Sequence, residues 1–169
     1  MKAIDLTHII TEDMPVYPGT EPPKLTPANS YERDGFKETL LSLYTHTGTH
    51  IDPPAHIFPD GRTLDEFPPE QFIGKALVID CRGIKAGGAI TLSHIERYGE
   101  KAGKADFLLF NLGWDRLWGT EAYFGDYPCL DDAALGLIIG GGYKGIGFDV
   151  IGLDPISVSY THLRAHETC

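Results

Sequence analysis

The 169-residue sequence predicts a single mixed α/β domain. Three observations carry that expectation. Short uninterrupted apolar runs at residues 76–80 and 107–110 read as buried strands. Helical spacing of apolar residues fills part of the interval between them and returns at 131–139. The length supports one substantial core and falls short of two.

Taken in order, residues 2–6 alternate polar and apolar side chains and predict a first strand. With an acid at Asp5 and no long apolar region, this start reads as the beginning of a mature domain and not as a signal peptide. Residues 11–27 contain Met14-Pro15-Val16-Tyr17-Pro18-Gly19 and Pro22-Pro23, which oppose both helix and ladder and predict an extended surface loop. Residues 37–45, with Leu40, Leu41, Leu43 and Tyr44, suit a strand. Residues 146–151 form a weaker third apolar run.

Between the runs, Leu92, Ile95 and Tyr98 predict a helix over 91–101, with Thr91 or Ser93 as its cap. A second helix over 131–139 opens on Asp131 and Asp132, whose charges suit a helix N-terminus. Gly140-Gly141-Gly142 then stops it. That glycine run follows a helix and is not followed by a Lys-Ser/Thr pair, so a phosphate loop is not indicated.

The net charge of -10 opposes a nucleic-acid backbone or an anionic membrane as partner. No stretch approaches the roughly 18 apolar residues of a membrane span. Cys81, Cys129 and Cys169 are odd in number and widely spaced, which suggests neither a disulfide framework nor a thiolate metal site. The cytoplasm is the expected location.

The informative segment is His46-Thr47-Gly48-Thr49-His50-Ile51-Asp52-Pro53-Pro54-Ala55-His56. His46 and His50 have the i, i+4 spacing of a helical metal pair, but two threonines, a glycine and two prolines oppose a helix. A bend at Gly48 would instead bring His46 beside His50. His50 and Asp52 lie two apart and point the same way from an extended chain. Two imidazoles and one carboxylate leave coordination positions open, as in a catalytic centre, and suit Zn²⁺ or Mn²⁺. Spacing alone leaves metal ligation and a solvated, hydrogen-bonded loop both open.

This segment matches every fixed position of HxGTHxDxPxH and so resembles the cyclase family, which includes kynurenine formamidases and isatin hydrolases. Asp5-Leu6-Thr7-His8, Met14 to Gly19, Phe58-Pro59-Asp60-Gly61 and Gly113-Trp114-Asp115 resemble it too. The resemblance implies a swivelling β/β/α-type domain in a homodimer that hydrolyses an amide, formamide or cyclic amide of a small molecule. It implies metal ligation by His46, His50 and Asp52, with Asp52 able to bridge to a second metal. It makes His56 the general acid/base and Tyr17 a substrate contact; a loop aromatic packed on the core is the other reading of Tyr17. His8, His94, Trp114, Trp118, Asp149 and Asp154 read as structural residues of loops, core and turns.

The expected domain spans residues 1–156. Residues 157–169 do not resemble the family's ending, in which a histidine and a later glutamate complete a second metal site. An unrelated tail is expected there, with His162 and His166 as its only imidazoles. A binding remnant that keeps the first metal without turnover is the alternative function. A (β/α)₈ amidohydrolase barrel, at about 250 residues, is excluded by length.

Overall fold

The computed structural model describes residues 2–156. The expectations for residues 157–169 therefore fall outside the described residues. The class is α/β, as the sequence predicts. The chain divides into two compact units after Asp52.

In the first unit, β1 (Lys24–Asn29) and β2 (Glu38–Ser42) form an antiparallel pair around the short helix α1 (Tyr31–Asp34). Their register sets Lys24 opposite Ser42 and Leu25 opposite Leu41. Ser30 caps α1, its hydroxyl accepting from the Arg33 N–H, and Gly35 ends it at φ 76°. The strand expected over 37–45 forms in its central part. The loop expected over 11–27 ends early, because β1 begins at Lys24 and contains Pro27. A two-stranded ladder leaves each strand an outward edge, where a missing N–H costs nothing, and the register shifts between Pro27 and Asn29.

The strand expected over 2–6 does not form. The Asp5 carboxylate accepts from the Thr7 N–H at 2.9 Å and its hydroxyl at 2.7 Å. Such local side-chain bonds offer the backbone an alternative to a ladder.

In the second unit, three parallel strands, β3 (Ala76–Asp80), β5 (Phe107–Asn111) and β7 (Gly145–Phe148), form a sheet in the order β3-β5-β7. The central strand is β5, and its Leu108 and Phe110 are buried. The Phe110 ring stacks on Phe148 at 4.9 Å. Ile79, Cys81, Ile90, Ile95, Ala102, Leu112, Ala134 and Ile138 join Leu108 and Phe110 in the core. Full burial of an isoleucine or leucine side chain here favours folding by about 1.5–3 kcal/mol.

The helix expected over 91–101 is two helices, α2 (Leu92–Glu96) and α3 (Glu100–Gly103). Gly99 between them adopts φ 52°, which interrupts the ladder. Thr91 is the N-cap of α2, and its backbone N–H donates to His94 Nδ1 at 3.0 Å. The acidic helix forms as α4 (Asp132–Gly140), with the Asp131 carboxylate accepting from the Ala134 N–H. It packs on α2. A short parallel pair, β4 (Ala89–Ile90) with β6 (Cys129–Leu130), had no signal in the sequence.

The third run shortens to β7 because Asp149, next along the chain, turns its carboxylate to the loop after β5. It accepts from the N–H groups of Leu112 and Trp114 at 2.8 and 2.9 Å. No helix among the described residues is long and apolar enough to cross a membrane.

Candidate metal centre

The chain leaves β2 and bends through residues 45–49. Gly48 makes the bend at φ 63°, a left-handed conformation that glycine adopts without penalty. Thr47 is buried, and its hydroxyl donates to the Tyr44 carbonyl at 2.7 Å. No helix forms, as the composition predicts, and the bend returns His46 to His50.

Three donor atoms meet there. His46 Nδ1 lies 2.8 Å from Asp52 Oδ1 and 3.1 Å from His50 Nε2, and His50 Nε2 lies 3.3 Å from the same oxygen. The imidazole planes stand at 86° to one another, so the nitrogens converge without the rings stacking. The side chains remain 28–47% exposed, which leaves the cluster open to solvent. Among the described residues this is the group of histidine, cysteine and acidic side chains able to hold a metal ion.

The ring orientation of His50 follows from its second nitrogen. Nδ1 lies 2.8 Å from the Gly48 carbonyl oxygen, which can only accept, so Nδ1 carries the proton and Nε2 presents its lone pair. His50 therefore faces the cluster through Nε2 and His46 through Nδ1. The Asp52 carboxylate raises the His50 pKa above the ordinary imidazole value; partial burial opposes the rise and the Gly48 carbonyl adds to it. A divalent cation fits this donor set, because two imidazoles and a carboxylate present lone pairs to one point.

The other predicted residues make local contacts of their own. His56 belongs to the second unit, at the end of a 3₁₀ turn (Pro54–His56), is exposed, and donates its backbone N–H to Pro53. Tyr17 opens a turn in which its carbonyl accepts from the N–H and hydroxyl of Thr20; the side chain is 38% exposed. His94 serves the α2 cap, and the Trp114 indole N–H donates to the Tyr123 carbonyl at 3.1 Å. The Tyr127 hydroxyl donates to the Asp154 carbonyl at 2.6 Å. The roles of Thr47 and the Gly48 carbonyl had no signal of their own in the sequence. Only the glycine at the centre of the motif signalled a special backbone.

Comparison with known proteins supplies the kinship. A kynurenine formamidase of Geobacillus thermodenitrificans is 29% identical over 156 residues, covering 91% of this chain and 71% of that protein. A second, from Salinibacter ruber, is 34% identical over 82 residues, which span 47% of this chain and only 39% of its relative. An isatin hydrolase crystallised with the product analogue thioisatinate superposes with a TM-score of 0.77 at 22% identity, covering 90% of this chain and 68% of the other. The sequence profile of the Putative cyclase family matches residues 4–155, and the chain belongs to that family.

Proposed function

We propose that this chain is a metal-dependent hydrolase of a small amide, formamide or cyclic amide, and that residues 1–156 form its hydrolase domain. The observation that carries the reading is the convergence of His46 Nδ1, His50 Nε2 and Asp52 Oδ1 within 3.3 Å of one another. Kinship with a kynurenine formamidase supports the substrate class. Zn²⁺ or Mn²⁺ bound at this position would supply a Lewis acid, able to acidify water towards a pKa of about 7 and to polarise a carbonyl.

The chain's own residues do the rest. His46, His50 and Asp52 would hold the cation, and three protein donors would leave room for water and substrate. The Gly48 carbonyl keeps the His50 proton on Nδ1, away from the ligating nitrogen. The His56 imidazole passes a proton to the leaving amine, so that amide and water become acid and amine. Tyr17 contacts the substrate. The protein works as a cytoplasmic homodimer.

Turnover of N-formylkynurenine, isatin and simple formamides, with Zn²⁺ and Mn²⁺ in turn, tests the proposal. Metal-dependent hydrolysis of at least one is expected. His56→Ala should then retain the metal and lose about 10²–10⁴-fold in rate. Firm metal binding with no turnover of any substrate would leave a binding remnant instead.

A further inference from the structure

We propose that Met14 is a positioning residue for the metal centre, acting through the Gly48 carbonyl on the tautomer of His50. The inference rests on the functional reading above and extends it to a residue outside the ligand motif.

The first unit buries little. Among its described residues only Met14, Pro23 and Thr47 are buried, while Ile4, Leu6, Leu40, Leu41 and Ile51 are all more than half exposed. Two of the three buried residues serve one bend. Thr47 ties it to the Tyr44 carbonyl, and Met14 lies against Gly48. A Cβ at Gly48 would stand 3.2 Å from Met14 Cε and 3.8 Å from Ile10 Cγ1, so the thioether fills the space beside the glycine. The bend is thus held on one side by a hydrogen bond and on the other by an apolar floor.

That floor matters because of what the bend presents. With Gly48 at φ 63°, its carbonyl meets His50 Nδ1 at 2.8 Å. A neutral imidazole has one proton for two nitrogens. While the carbonyl holds it on Nδ1, Nε2 keeps the lone pair that a cation needs. If the peptide turns away, the proton can occupy Nε2 and block ligation. An unbranched, polarisable thioether suits a floor of this irregular shape.

The test compares Met14→Ala, Met14→Val and Met14→Leu in the full chain. Loss of a group that orients a ligand typically costs 10–100-fold in metal affinity. Zn²⁺ and Mn²⁺ binding should weaken by about that factor in the alanine and valine variants and return to within about threefold of the parent in the leucine variant. In metal-free protein at mildly alkaline pH, ¹⁵N spectra should show the His50 proton on Nδ1 in parent and leucine variant, and partly on Nε2 in the truncations. A merely structural methionine would lower the melting temperature without moving the tautomer. Parental affinity and an intact Nδ1–H in either folded truncation would overturn the proposal. A parent that binds neither metal, with truncated variants that still show the tautomer shift, would overturn the functional reading and leave the positioning role standing.

Discussion

Asp149→Asn changes one oxygen into an amide and should weaken the fold more than any exposed substitution. The Asp149 carboxylate accepts from two backbone N–H groups, those of Leu112 and Trp114, at 2.8 and 2.9 Å. Gly113 between them, at φ 66°, donates its own N–H to Asn111 Oδ1 at 3.0 Å. Three successive N–H groups are thus satisfied by side-chain oxygens, an arrangement that favours a negative charge. A hydrogen bond to a charged group contributes about 1.5–3 kcal/mol, and an orphaned buried donor costs about 1–3 kcal/mol. Asparagine keeps one acceptor and turns a donor towards the other N–H, so a loss of about 2–4 kcal/mol follows. Alanine removes both bonds and should cost about 3–5 kcal/mol, allowing for partial exposure of the site. Urea unfolding followed by tryptophan fluorescence measures both. Amide exchange should quicken at Leu112 and Trp114 and stay nearly unchanged at Gly113. An asparagine variant within about 0.5 kcal/mol of the parent, or one less stable than the alanine variant, would refute the reasoning.

Other consequences follow from the same geometry. Leu108→Ala at the fully buried centre of β5 should cost about 2–5 kcal/mol in urea unfolding, whereas Leu40→Ala on the exposed β2 should cost under about 0.5. Burial pushes the Cys81 thiol up to about 11 from a reference of 9.0. The native thiol should therefore resist alkylation near pH 8, as mass-spectrometric mapping against denatured protein will show. Its contribution to stability is complete below pH 9.0 and fades as pH rises towards about 11, because only the unfolded thiol ionises early. Because Asp52 raises the pKa of His50, protons compete with a cation from a higher pH than at an ordinary imidazole. Metal affinity should fall as pH drops through that raised value, and in metal-free protein Asp52→Asn should lower the His50 pKa, as an NMR titration of the imidazole will show.

How much of this was legible beforehand depends on the physical signal each segment carries. The runs at 76–80 and 107–110 both form strands where expected; the central β5 is buried or half-buried along its length, whereas β3 at the sheet edge leaves Val78 exposed. The α4 helix carried its own start signal in Asp131 and stop signal in the glycines. The pair β4–β6 spans two residues per strand, too few for any period to register. The break at Gly99 was hidden because Leu92, Ile95 and Tyr98 keep helical spacing on their side of it. At the metal centre, residue types and the bend at Gly48 were readable from composition. The choice of nitrogen on His50 was not, since it depends on the Gly48 carbonyl that folding brings to its ring.

Everything proposed for the function turns on whether His46, His50 and Asp52 hold a divalent cation together. Metal analysis after Zn²⁺ or Mn²⁺ loading and desalting tests it most directly, comparing parent, His50→Ala and Asp52→Asn. A retained ion is expected in the parent and loss of most of it in each variant, because a site with three protein donors cannot spare one. Equal metal in parent and variants, or none in a folded parent, would contradict it.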